Sequence, residues 1–218
     1  MGKTILVTGK ESFLGNEINR FFLEGGHQVS VAVTPRKDVF PSLDQSKRQY
    51  LIPWNRRSAV AAKNFILQTE QELGPIDEAW VLVSPERESF ALNDLPPLTI
   101  DETIDQNTKG LVYLIRELLS RQAQRPTLAI HFVFFEEDPT SLPPLGALQF
   151  FGLRGVVSSL LGMARRRSLP ILAYDTVLQQ PETYATWLLT PKMHSPGRWN
   201  IHGEKKSLLS LFSRKDAP

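Results

Sequence analysis

Cysteine is missing from all 218 residues, and that absence removes several chemistries at once. The chain can hold no thiolate nucleophile, no zinc–thiolate centre and no disulfide framework. Histidine is scarce: His27, His131, His194 and His202 show no spacing of metal ligands. His131 falls mid-strand and reads as a core histidine with its hydrogen bonds met. No apolar run approaches the roughly 20 residues that cross a bilayer, so no membrane association is expected. Met1–Val7 enters a strand-like run without the layout of a signal peptide, and a cytoplasmic protein is expected. A large excess of one charge is lacking too. The formal net charge of +2 is too small to make nucleic acid an expected partner.

The basic residues cluster instead, at Arg36-Lys37, Arg56-Arg57, Arg165-Arg166-Arg167 and Lys205-Lys206. The triple arginine ends a long helical pattern, where cations meet the carbonyl end of the helix dipole. A solvated face is therefore expected there in preference to a phosphate-binding patch.

With 41% hydrophobic and 22% charged residues, the chain has the composition of an ordinary globular domain. Its periodicity alternates between strand and helix. Ile5–Val7 reads as a buried strand. Leu14, Ile18, Phe21 and Phe22 follow at helical spacing before Gly25-Gly26. Val29–Val33 and a short run at Tyr50–Ile52 read as strands. A helix follows that Ser58 can cap and that Gly74-Pro75 ends. Ala79–Val83 and Leu128–Phe134 are apolar on both faces, as central parallel strands must be. Between them lies a helix over about 102–121, and Phe150, Leu153, Val157, Leu160 and Leu161 mark another over 147–166. Ile171–Ala173 adds a further strand. This β-α order implies a doubly wound parallel α/β sheet in three α/β/α layers. No repeat or composition break divides it, so residues 1–218 form one domain, with a C-terminal tail from about 207. In such a sheet, ligands sit beyond the carboxyl ends of the strands.

The first strand runs into Thr8-Gly9-Lys10-Glu11-Ser12-Phe13-Leu14-Gly15, a glycine turn between a strand and a helix. Glycines let a backbone approach a pyrophosphate, which then sits at the helix N-terminus. The run resembles the Thr-Gly-x-x-x-Gly-x-Gly turn of the short-chain dehydrogenase/reductases, a Rossmann-type family, with Ser12 and Phe13 where a middle glycine is missing. Gly74-Pro75-Ile76-Asp77 is similar to the family's lead-in to its Asn-Asn-Ala-Gly loop, in whose place stands Val83-Ser84-Pro85-Glu86. Asp105–Leu111 resembles the family's Asn-x-x-Gly helix, with Asn107 at its structural and catalytic asparagine. Gly197–Ile201 resembles its final strand. The resemblance implies a nicotinamide dinucleotide held by Thr8, Gly9, Ser12, Phe13, Leu14, Gly15 and Ser84. After the second strand, Arg36-Lys37 replace the acidic residue that accepts ribose hydroxyls, which favours NADP(H) over NAD(H). A vestigial turn that binds no cofactor is the alternative.

In that family a Tyr acts as acid/base, a Lys four residues later lowers its pKa, and an upstream Ser holds the same oxygen. Phe150 falls at the Tyr position, Arg154 at the Lys position, and Glu137 or its neighbour Glu136 near the Ser position. The four tyrosines, Tyr50, Tyr113, Tyr174 and Tyr184, are followed four residues on by Trp54, Glu117, Leu178 and Leu188. No Tyr-x-x-x-Lys exists in the chain, whatever the alignment. Glu137 and Arg154 either pair across the old active site or stay solvated. Asn107 either keeps a catalytic role or only its helix hydrogen bonds.

Three functions stay open: a catalytically impaired scaffold that senses a dinucleotide or binds a protein, an oxidoreductase with a non-standard acid, and a structural partner without a cofactor. A homodimer is expected, because Val112, Leu114 and Leu119 on one helix and Phe151, Val156 and Met163 on the next exceed one apolar stripe. Ser207–Phe212 is expected to dock on its own chain or its dimer mate.

Overall fold

The computed structural model describes residues 2–35, 42–44, 48–85, 92–136, 138–176, 180–190 and 194–203. Arg36, Lys37, Glu137 and the tail from 207 lie outside the described residues.

The strands are β1 (Thr4–Val7), β2 (Gln28–Val33), β3 (Ser42–Asp44), β4 (Gln49–Pro53), β5 (Glu78–Val83), β6 (Ala129–Phe134), β7 (Ile171–Thr176) and β8 (Trp199–His202). They form one sheet in the order β3-β4-β2-β1-β5-β6-β7-β8. Every neighbouring pair is parallel except the antiparallel edge pair β3–β4. The order reverses at β1, which pairs with β2 on one side and β5 on the other. This is the switch point at which doubly wound sheets open a crevice.

The helices are α1 (Phe13–Glu24), α2 (Ala59–Leu73), α3 (Pro97–Thr103), α4 (Gly110–Gln124), α5 (Pro144–Arg167) and α6 (Pro181–Leu188). Side chains from α2, α4 and α5, including Phe65, Leu111, Leu118, Leu153 and Val157, form a core with one face of the sheet. Leu14, Ile18 and Phe22 of α1 and Tyr184 and Leu188 of α6 cover the other. The three expected layers are present. Ser58 caps α2 as its sequence position suggests, accepting from Ala61 N, and Ser12 caps α1, accepting from Gly15 N. The triple arginine occupies the last turn of α5, which ends in left-handed backbone at Ser168.

Two features depart from the periodic reading. The helix expected over 102–121 is an α-helical path interrupted by a π turn at Ile104–Lys109, between α3 and α4. Leu114, counted as surplus apolar surface, is fully buried, because α4 packs beside α2 as well as on the sheet. Leu119 and Met163 also pack against the core, while Val112, Leu148, Phe151 and Val156 stay exposed. Helix α5 is long and apolar enough by composition to cross a membrane. Its Phe150, Leu153, Val157 and Leu161 stripe is buried in the sheet core, which accounts for part of that apolar character.

His131 lies in an aromatic stack across three strands. The Trp80 ring of β5 lies 4.2 Å from the His131 ring and the Tyr174 ring of β7 lies 5.8 Å from it, with the three ring planes nearly parallel. Its Nδ1 shares a 2.9 Å hydrogen bond with the Tyr174 hydroxyl. Its Nε2 has no hydrogen-bond partner among the described residues and faces the Glu78 carboxylate at 3.7 Å. Burial pushes the His131 pKa down to about 4 and raises that of Tyr174.

Candidate active site

The glycine turn after β1 is built by its own side chains. Gly9 adopts left-handed backbone with φ at 69°, and the Ser12 hydroxyl donates to the Gly9 carbonyl at 2.7 Å. The same hydroxyl accepts from Gly15 N at 3.1 Å. Thr8 is buried, and its hydroxyl accepts from Leu82 N at 3.0 Å, which ties the turn to β5. A Cβ on Gly15 would lie 2.0 Å from the Gly9 carbonyl oxygen, so only glycine lets α1 start this close to the turn. Leu14 points into the core. Phe13 is half-exposed and lines a groove between α1 and α6 with Phe21, Ala185 and Leu189.

Beside the turn, at the carboxyl ends of β2 and β4, lies a cleft of about 640 Å³. Ala32, Val33, Thr34 and Pro35 line it from β2 and the residues after it, and Glu11 from the glycine turn. Trp54, Asn55, Arg56 and Arg57 after β4 form a wall, and Gln106 and Asn107 of the π turn complete it. The Arg57 guanidinium pairs with Glu102 at 2.9 Å. With the Gln106 amide turned to suit its neighbours, its oxygen accepts from Arg57 Nε and Nη2 at 3.1 and 2.9 Å. Arg56 lies over the Trp54 ring at 5.3 Å. Gly110 holds this wall in place, since a Cβ there would meet the Arg56 carbonyl oxygen at 2.6 Å. Asn107 and Trp54 are only 4% and 2% exposed. Among the described residues, neither Asn107 Nδ2 nor Trp54 Nε1 has an acceptor.

Phe150 and Arg154, expected at the family's acid and lysine positions, face different surroundings. Phe150 is 1% exposed, its ring edge-on to Phe134 at 5.5 Å and to Phe151 at 5.4 Å. Trp199 meets Phe134 edge-on at 5.3 Å. Arg154 forms an ion pair with Asp175 of β7, and its guanidinium lies 4.5 Å from the centre of the Trp199 ring. Burial lowers the Arg154 pKa from its ordinary value, with the nearby Tyr184 opposing. The expected pairing of Arg154 with Glu137 falls on a residue outside the described ones, and Arg154, partly exposed, pairs with Asp175. Ser84 is exposed at the end of β5, and its carbonyl accepts from Gln149 Nε2 of α5 at 3.5 Å.

Thr8, Gly9, Ser12 and Gly15 thus form the expected turn, and Asn107 joins the cleft beside it. Phe150 and Arg154 are committed to internal partners. Reading the sequence for catalytic positions passed over Trp54–Arg57 and Gln106. A basic pair just past the carboxyl end of a strand was the available signal. Among the described residues, no group of three or more His, Asp or Glu side chains is placed to share a metal ion.

No protein-family model matches the chain, and no curated protein matches its sequence. Solved structures do match its fold. An NADH-dependent reductase A1-R′ complexed with NAD is 12% identical with a TM-score of 0.71, over 92% of this chain and 94% of that one. The reductase A1-R′ described as responsible for alginate metabolism is 14% identical with a TM-score of 0.64, over 80% and 76%. A short chain dehydrogenase from Bacillus anthracis str. 'Ames Ancestor' is 15% identical with a TM-score of 0.73, over 91% and 94%. At such identities the likeness speaks for architecture alone. The fold of this chain is that of the short-chain dehydrogenase/reductases.

Proposed function

We propose that the chain is a catalytically impaired short-chain dehydrogenase/reductase-like protein that binds a nicotinamide dinucleotide without transferring hydride, and acts as a sensing or protein-binding scaffold. The burial of Phe150 carries this reading. A general acid must reach the reacting oxygen within hydrogen-bond distance and hold a transferable proton. Phe150 has no such proton and turns its ring into Phe134 and Phe151. Arg154, at the position whose cation would lower the acid's pKa, is taken up by Asp175 and Trp199.

The glycine turn and the cationic cleft support retained nucleotide binding, as does the likeness to a reductase crystallised with NAD. Arg56, Arg57 and Asn107 would bind and orient the phosphate-bearing end of the dinucleotide. Arg56 and Arg57 in the cleft support a preference for the 2′-phosphorylated form, which the sequence attaches to Arg36 and Lys37. Val112, Leu148, Phe151 and Val156 support a homodimer through α4 and α5.

The test is turnover by the purified protein with NADH and NADPH against a broad carbonyl panel. General acid–base catalysis contributes about 10²–10⁴-fold, so turnover is expected to stay at background. The triple variant Glu137→Ser, Phe150→Tyr, Arg154→Lys is assayed in parallel. Robust turnover by the unmodified protein sinks the impairment and installs the oxidoreductase reading.

A further inference from the structure

We infer that the surface at the amino ends of β7 and β8 docks an acidic peptide segment of a partner protein, one that carries an apolar residue among its carboxylates. The inference deepens the protein-binding reading above and rests on it. The cleft beside Arg56 and Arg57 lies at the opposite, carboxyl end of the sheet.

Four arginines carry the first support. Arg165, Arg166 and Arg167 form the last turn of α5, and Arg198 immediately precedes β8. All four are exposed, and among the described residues none of their guanidinium groups has a hydrogen-bond or ion-pair partner. The other described arginines each meet a carboxylate, a backbone carbonyl or an aromatic ring. The helix dipole favours cations in the last turn of α5. It gives no reason for Arg198, which belongs to another segment.

Tight packing puts Arg198 there. Gly197 has φ at 71°, and a Cβ on it would lie 2.5 Å from Cγ of Arg165 and 3.2 Å from the Arg165 backbone nitrogen. Gly197 N donates to the Ile171 carbonyl at 2.7 Å, which holds the segment against the start of β7. Glycine lets the two arginine-bearing segments lie this close. Arg165 and Arg198 border a cleft of about 370 Å³ whose lining includes Ala164, Leu169, Pro170 and Pro196 and, among the described residues, no carboxylate.

That lining selects among anions. Guanidinium forks match carboxylates and phosphates alike. A nucleic-acid base gains its affinity by stacking, and no aromatic side chain lines the cleft. An anionic membrane is gripped by apolar side chains that protrude, whereas here they line a concavity between two cations. A short apolar side chain flanked by carboxylates satisfies the apolar lining and the guanidinium groups together. Charge complementarity of this kind sets the choice of partner and speeds its encounter.

The experiment is fluorescence anisotropy of a labelled peptide, Glu-Glu-Leu-Glu-Glu, titrated with the full chain at physiological ionic strength. Saturable binding is expected, weakened at least about threefold when glycine replaces the peptide's leucine. The double variant Arg165→Gln, Arg198→Gln keeps most of each stem and is expected to weaken binding at least about fivefold, with an unchanged circular dichroism spectrum. Arg56→Gln, Arg57→Gln is expected to change it by less than about twofold. No binding up to about millimolar protein, or equal affinity for the two peptides, overturns the inference even if a variant misfolds. A loss in the Arg56 and Arg57 variant but not in the other overturns the placement. Tighter binding of an oligothymidylate or of phosphatidylserine vesicles, lost in the Arg165 and Arg198 variant, overturns the choice of an acidic peptide. Hydride transfer and nucleotide binding are decided separately, by turnover and by titration with NADH and NADPH.

Discussion

Gly15 and Gly110 each stand where a single methyl group would strike backbone. At Gly15 the obstacle is the Gly9 carbonyl oxygen at 2.0 Å, and at Gly110 the Arg56 carbonyl oxygen at 2.6 Å. Neither obstacle is the flexible end of a side chain, so the chain must shift. Overpacking of this kind costs about 1–3 kcal/mol, occasionally more. In a domain of this size that lowers the melting temperature by roughly 2–12 °C. Gly15→Ala and Gly110→Ala are expected to show such drops by calorimetry, and Gly110→Ala also to weaken nucleotide binding by displacing the Trp54–Arg57 wall. Gly162→Ala is the control. A Cβ there meets only the end of the Arg166 side chain at 3.9 Å, so the helix should gain about 0.5–1 kcal/mol. Equal melting temperatures for all three variants would remove the close-approach explanation.

Helices α4 and α5 serve two surfaces. Their inner stripes close the sheet, and α4 also packs beside α2, which consumes Leu114. What remains outside is Val112 on α4 and Leu148, Phe151 and Val156 on α5, with Phe151 51% exposed. Isolated exposed apolar residues need no explanation, but several on adjoining helices fit a partner surface. A homodimer at micromolar concentration is the expected result of light scattering. Phe151→Glu, which buries a charge if the face is covered, is expected to yield monomer with the fold intact by circular dichroism. A monomeric unmodified protein would end the proposal.

The molecule as a whole is expected to lose stability on mild acidification. His131 has a folded pKa of about 4, set by burial, against an ordinary value near 6.5. Between those values the unfolded chain binds the proton and the folded one does not. Stability is therefore full above about pH 6.5 and declines as pH falls toward 4, by something on the order of 3 kcal/mol. His194 and His202 are lowered by burial and act in the same direction. Burial raises Glu78, but the Lys3 hydrogen bond and the neighbouring Lys3 and His131 charges outweigh it, leaving its carboxyl below its ordinary pKa. That group loses its contribution as pH falls further. Urea denaturation from pH 7 to 4.5 is expected to show the decline, and His131→Phe to flatten it. A stability independent of pH over that range would show that the stacked histidine is not held neutral.

The alternation of strands and helices, the caps at Ser12 and Ser58 and the glycine turn are local, written in residues within a few positions of one another. So is the missing Tyr-x-x-x-Lys, a question of residue identity alone. These determine a parallel α/β sheet and leave the chain without that motif. Partner choice is not local. The cleft joins residues 32–35, 54–57 and 106–107, which only the sheet order brings to one edge. Asp175 meets Arg154 because α5 packs against β7, with Trp199 of β8 beside it. The π turn at Asn107, the unmet donor it carries and the outward path of Phe13 follow from packing against distant elements. Periodicity records which face of an element is apolar; only close packing in three dimensions decides what that face meets.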